Sequence, residues 1–166
     1  MKIIFLDVDG VLNNIGCRTR TPSGCYFVDD KKVALLKELV DATGAKVVLS
    51  SDWRRGWADL DNGVETKDSI DFCMLRDKLQ EYGIEMIDYT MITEEGYRGN
   101  EIKMWLDSWE GEEIESILIL DDDDDMKPLK HFLLQTSFAD GLTKRHVKRG
   151  IERLKEKYKR EKRTNK

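Results

Sequence analysis

The apolar positions of this chain fall into two periods. Residues 3–6, 46–49 and 117–120 are brief, almost unbroken apolar runs, the pattern of strands covered on both faces of a parallel sheet. Between them lie longer stretches with helical spacing. Val33, Leu35, Leu36, Leu39 and Val40 mark a helix with Asp29 or Asp30 as its cap and a stop near Gly44. Residues 70–82 read as a second helix, and Ile102, Trp105, Leu106 and Trp109 share one face of a third over 101–109. Residues 83–89 predict a short strand or turn, 129–134 a helix or loop, and 135–138 a further strand. Residues 13–28 and 54–67 lack either period and read as loops, the second lying over the sheet's mouth.

A strand, a loop, a helix and a strand in that order imply a right-handed crossover and parallel pairing. The expected fold is therefore α/β, a Rossmann-like parallel sheet flanked by helices. With 166 residues and 40% hydrophobic content, one domain can bury a core without disulfides. The expected division is a domain over 1–142 followed by a basic helix or tail over 143–166. In that tail Val147, Ile151, Leu154 and Tyr158 recur at helical spacing, so an amphipathic helix docking its apolar stripe is its plainest reading.

Charge sharpens this picture. The net charge is −5, yet residues 143–166 hold 12 Lys or Arg against three Glu, so the body is strongly acidic. An acidic body suits bound cations, and a basic tail suits a polyanion. Cys17, Cys25 and Cys73 lack metal-ligand spacing, and no cleavage-type signal opens the chain, which points to a reducing cytoplasm. No apolar run approaches the roughly 18 residues of a membrane span.

Each of the three clear strands ends in polar groups: Asp7 and Asp9, Ser50 and Ser51, and five aspartates from Asp121 to Asp125. In a parallel sheet these ends share one edge, where ligands bind. Asp7 and Asp9, two apart in extended chain, point the same way, and Gly10 permits a sharp turn after them. An Asp-Gly turn between two strands is the blander reading. Carboxylates gathered without Cys or His ligands select a hard cation such as Mg²⁺, which takes further ligands from water and phosphate. With only His131 and His146 in the chain, both read as surface residues, a histidine-rich zinc site is excluded.

These residues suit phosphoryl transfer. Asp7 can attack phosphorus, Asp9 can serve as acid and then base, and the Ser50 hydroxyl can donate to a phosphate oxygen. Gly10, Ser51 and the amides of Val8 and Asp9 would surround the phosphate, and Arg98 or Lys103 would offset its charge. Trp53 and Arg54, close after Ser50, can meet a substrate base or phosphate, though Trp53 can equally pack in the core. Trp57, in the polar stretch, is the better stacking residue.

Asp7-Val-Asp-Gly-Val, Ser50 closing a strand, a basic residue before the third clear strand, and Asp121-Asp122 at that strand's end resemble, in order, motifs I to IV of the haloacid dehalogenase-like (HAD) phosphohydrolases. The resemblance covers roughly residues 1–142. It implies Asp7 as nucleophile and Mg²⁺ ligand, and Asp9 as acid/base with its backbone carbonyl on the metal. It also implies Ser50 as phosphate binder and Asp121 or Asp122 as metal ligand. The family usually carries Lys in motif III; here Arg98, expected in a loop just before the helix, is favoured over Lys103 within it. Asp125 is left open as a metal ligand or a supporting group, and Asp123 to Asp125 can alternatively cap a following helix.

The intervals between the motifs leave no room for an independent cap domain, so the mouth should be open and accept a phosphate on something large. Similarity to the 3′-phosphatase part of polynucleotide kinases and to small HAD domains associated with RNA repair makes a nucleic-acid end one expected substrate, with the basic tail as its contact. A nucleotide phosphatase uses the same residues. A receiver-like signalling domain or a non-catalytic phosphate-binding module are the other readings.

Overall fold

The computed structural model describes residues 1–159. Strands β1 (Lys2–Leu6), β2 (Lys46–Leu49), β3 (Met86–Tyr89), β4 (Ser116–Asp121) and β5 (Leu133–Gln135) form one sheet in the order β3-β2-β1-β4-β5, every pair parallel. Helices α1 (Asp30–Thr43), α2 (Arg54–Asp61), α3 (Lys67–Glu81), α4 (Arg98–Ser108) and α5 (Lys144–Arg153) flank it. The chain winds from β1 out to β3, then crosses back to add β4 on the other side. The strand order thus reverses between β1 and β4, the crevice where open α/β sheets bind ligands.

Side-chain alternation assigns each strand residue to a face. Ile4 and Leu6 of β1 join Val47, Leu49, Leu118 and Leu120 in the core beneath α1, where Val33, Leu36 and Leu39 close it. Ile3, Phe5, Val48, Ile117 and Ile119 point the other way, onto Ile102, Trp105 and Leu106 of α4. Extending the period of two by one residue sends Asp7, Ser50 and Asp121 to the α4 face. Because Leu6 pairs with both Leu49 and Leu120, these three polar residues form one row across the central strands.

Local signals explain most helix ends. Asp29 caps α1 by accepting from the Lys31 amide at 2.9 Å, and Gly44 ends it in the left-handed conformation. Thr66 and Ser69 form a reciprocal capping box on α3. The main departure from the expected elements is at 54–67, where 54–61 is helical rather than a loop. Its apolar face is too short for the pattern to register. The helix is held instead by close packing at Gly56, where a Cβ would lie 1.9 Å from the Asp68 carbonyl oxygen, and by Trp57 stacked on Phe72 at 4.9 Å. Trp57 is therefore bound up with α3 instead of standing ready to stack on a ligand. The last strand also starts earlier than expected, at Leu133.

Residues 20–26 fold into a small hairpin, with Arg20 bridged to Tyr26 and strapped to α3 where Asp71 accepts from Thr21 Oγ1 (2.6 Å) and from Ser23. No independent cap is inserted between the strands among the described residues. Helix α5 packs against α1, with Val147 buried in the shared core. Beyond it, the Tyr158 amide donates to the Glu115 carbonyl at 2.7 Å. Tyr158 is thereby tied beside the start of β4, and Glu156, Lys157 and Lys159 line a cleft together with Lys103, Pro128 and His131; residues 160–166 lie outside the described residues. No described helix is long and apolar enough to cross a membrane.

Candidate active site

Three carboxylates meet at the switch point. One oxygen each from Asp7, Asp121 and Asp122 lies within 4.8 Å of the others, with Asp7 and Asp121 buried and Asp122 half-buried. Burial, reinforced by the charge of Asp121, pushes the Asp7 carboxyl well above its ordinary range, while Arg98 opposes the shift. Burial likewise raises Asp121 to about 7 and lifts Asp122. Asp121 Oδ2 is buried without a hydrogen-bond partner in the described chain. An all-oxygen set with an orphaned carboxylate oxygen and mutual repulsion fits a small hard cation such as Mg²⁺. The Asp9 carboxylate is not part of this group.

Asp9 is instead held to one side. Trp53 Nε1 donates to its Oδ2 at 3.0 Å, and Asn13 Nδ2 to its Oδ1 at 2.8 Å. Asn13 is fully buried and also accepts from the Gly10 amide at 2.9 Å, so it fixes the turn and the carboxylate together. The Gly10 amide is thereby occupied and does not face a phosphate. Gly10 sits at φ +73°, and a Cβ there would lie 2.3 Å from Asp122 Oδ2, so only glycine lets that carboxylate approach. The Val8 and Asp9 amides have no acceptor among the described residues and remain able to donate.

Arg98 Nη1 stands 3.8 Å from Asp7 Oδ1. Burial works against this cation, yet the charges of Asp7 and Asp121 outweigh it and raise the Arg98 pKa. Arg98 is the first residue of α4 rather than a loop residue. Its amide donates to Asp125 Oδ2 at 3.2 Å, a cap supplied from across the fold, which is why the local sequence does not announce the helix start. Asp125 thus caps α4, and the helical turn that follows, a short 3-10 turn at Lys130–Phe132, is not capped by Asp123 to Asp125 but starts from Leu129 with no side-chain cap. Lys103 is not brought to Asp7; its Nζ pairs with Asp107 at 3.1 Å.

The Ser50 hydroxyl and Arg98 Nη1 are buried without hydrogen-bond partners, and the buried Ser51 hydroxyl faces Asp7, whose pKa it draws down without forming a hydrogen bond of good geometry. Buried polar groups in native proteins are normally paired, so a cluster of orphaned donors beside a carboxylate marks a place for an anion. Ser50 is positioned by a device that sequence patterns do not reveal. Its carbonyl accepts from Arg54 Nη1 at 2.6 Å, and Arg54 Nη2 forms a fully buried ion pair with Glu101 Oε2 at 2.6 Å. Glu101 Oε1 also accepts from the Thr93 amide at 2.9 Å. One clasp therefore joins the end of β2, the start of α2, the loop after β3 and the first turn of α4. The partners lie 47 positions apart, and neither Arg54 nor Glu101 carries a local motif.

Residues 3–147 match the family model described as the HAD domain in Swiss Army Knife RNA repair proteins. The chain belongs to this family. No curated protein and no solved structure matches it. HAD membership accords with the five-stranded parallel sheet and with the carboxylate group at its carboxyl edge.

Proposed function

We propose that this HAD domain is a Mg²⁺-dependent phosphatase that hydrolyses a phosphomonoester through an aspartyl-phosphate on Asp7, with the end of an RNA strand as its substrate. The observation that carries the reading is the convergence of Asp7, Asp121 and Asp122 within 4.8 Å, with Arg98 3.8 Å from Asp7. Held by those three carboxylates, Mg²⁺ would supply charge neutralisation for both the carboxylates and the transferring phosphoryl group.

In the first half-reaction an Asp7 oxygen attacks phosphorus and the bond to the leaving oxygen breaks, while Asp9 gives that oxygen its proton. Arg98, Ser50 and the Val8 and Asp9 amides donate to the equatorial oxygens, where negative charge is greatest. In the second half, water attacks phosphorus, Asp9 takes the water's proton, and the bond to Asp7 breaks to release phosphate. Trp53 and Asn13 keep the Asp9 carboxylate aimed between these roles.

The RNA substrate is supported by the RNA repair proteins in which this family's HAD domain occurs and by the absence of an inserted cap among the described residues. Three cysteines free of disulfides accord with a cytoplasmic setting. The test is a phosphate-release screen with Mg²⁺ and with EDTA, comparing phosphorylated oligoribonucleotides with nucleoside monophosphates and using Asp7→Asn as control. Release that needs Mg²⁺ and Asp7, with higher kcat/KM on the oligoribonucleotides, is expected. Equal release by Asp7→Asn would overturn the mechanism, and a preference for mononucleotides would replace the substrate.

A further inference from the structure

Two clefts flank the mouth, and they differ in charge. The cleft beside Asp9, about 260 Å³, is walled by Asp52, Asp68 and Asp71, with Arg55 as its one cation. A strand of phosphates would be repelled there. On the opposite flank an open groove of about 810 Å³ runs past the start of α4, lined by Tyr97, Asn100, Lys103, Lys127, Pro128 and Lys130.

This second groove has the ingredients of a single-strand track. Tyr97 is 58% exposed and lines this groove, while the next residue, Arg98, reaches Asp7, so an exposed aromatic side chain stands one residue along the chain from a group at the reaction centre. Lys103, Lys127 and Lys130 supply three cations along the groove. Its two carboxylates are already engaged: Asp125 caps α4, and Asp124 pairs with Lys130 at 2.8 Å. The Lys130–Asp124 and Lys103–Asp107 pairs are solvent-accessible, so a phosphate can compete for either lysine at little cost. Aromatic faces interleaved with cations bind single strands without reading sequence, by stacking and by phosphate contacts.

We infer that the groove formed by Tyr97, Asn100, Lys103, Lys127 and Lys130 carries the RNA strand whose terminal phosphate enters at Asp7, with Tyr97 stacking on a base near the end. This rests on the phosphatase reading for the reacting end, but the groove's affinity can be measured without turnover. Past Lys103 and Pro128 the groove adjoins a second cleft lined by Lys157 and Lys159 of the described tail, which extends the run of cations away from Asp7.

The experiment has two arms. In the first, Asp7→Asn binds a fluorescent, unphosphorylated oligoribonucleotide, and anisotropy is followed against salt. Adding Tyr97→Ala, or Lys127→Glu with Lys130→Glu, should weaken binding about tenfold, and the lysine pair should also flatten the salt dependence. In the second, the same changes in the active chain should lower the ratio of kcat/KM on a phosphorylated oligoribonucleotide to that on p-nitrophenyl phosphate about tenfold. Binding and ratio within twofold of the parent would overturn the track. Weakened binding in a chain that releases no phosphate would keep the track and overturn the phosphatase reading instead.

Discussion

Removing Glu101 should be one of the most damaging single changes in this protein, although the residue touches no substrate. Arg54 and Glu101 side chains are each 2% exposed and meet at 2.6 Å. In Glu101→Ala the Arg54 guanidinium stays buried with its main counter-charge gone, retaining the Ser50 carbonyl as its close partner. The Thr93 amide loses its acceptor as well. Breaking a buried pair in this way costs about 3–5 kcal/mol. For a chain of this length that corresponds to a fall in Tm of roughly 10 °C. Urea unfolding of wild type, Glu101→Ala, Arg54→Met and the double variant Arg54→Met/Glu101→Leu gives the energies and their coupling. The apolar double variant should recover most of the lost stability, because it leaves no charge buried. It should remain slow in phosphate release, since the Ser50 carbonyl and the first turn of α4 are no longer tied together. A loss below about 1 kcal/mol in Glu101→Ala, the range of an exposed ion pair, would refute the clasp.

Three other changes probe separate parts of the site. Gly10→Ala places a Cβ against Asp122 at a left-handed φ, so the Tm increase on adding Mg²⁺ should shrink severalfold; an undiminished increase would show that Asp122 does not need this approach. Trp53→Phe removes one of the two donors to Asp9 and should lower kcat about tenfold with little change in Tm, whereas unchanged kcat would remove Trp53 from the positioning of Asp9. His146 Nδ1 accepts from the Thr143 amide at 3.1 Å and so caps α5 only while unprotonated. Burial, with repulsion from Arg149 and Arg145, holds its pKa below the usual value. That cap is therefore fully present above the unfolded pKa of roughly 6.5 and is lost as pH falls through the lower folded value. Over this window wild type should lose about 1 kcal/mol more than His146→Gln, and parallel pH profiles would exclude the cap as the cause.

The row Ser50, Asp7, Asp121 was legible because strand period and polarity coincide: each residue ends an apolar run, and the period of two sends all three to one face. Arg98 was legible as a nearby basic residue, but not as the start of α4, because its cap comes from Asp125, 27 positions away. Helix α2 escaped notice for a related reason. Gly56 and Trp57 gain their energy from α3, and eight residues with few apolar side chains show no period of their own. Asn13 holds Asp9 from four positions away within a loop that has no period to read, whereas Trp53 and Glu101 act through tertiary hydrogen bonds to Asp9 and Arg54. Such pairings depend on where distant segments dock, which periodicity does not encode.

Rapid acid quenching of the Mg²⁺-loaded chain during turnover, followed by peptide mass mapping, tests the nucleophile most directly. The peptide containing Asp7 should carry one phosphoryl group that hydroxylamine removes, and Asp7→Asn should carry none. Steady turnover with no phosphoryl group on that peptide, or an equal amount on Asp7→Asn, would contradict Asp7 as the attacking group.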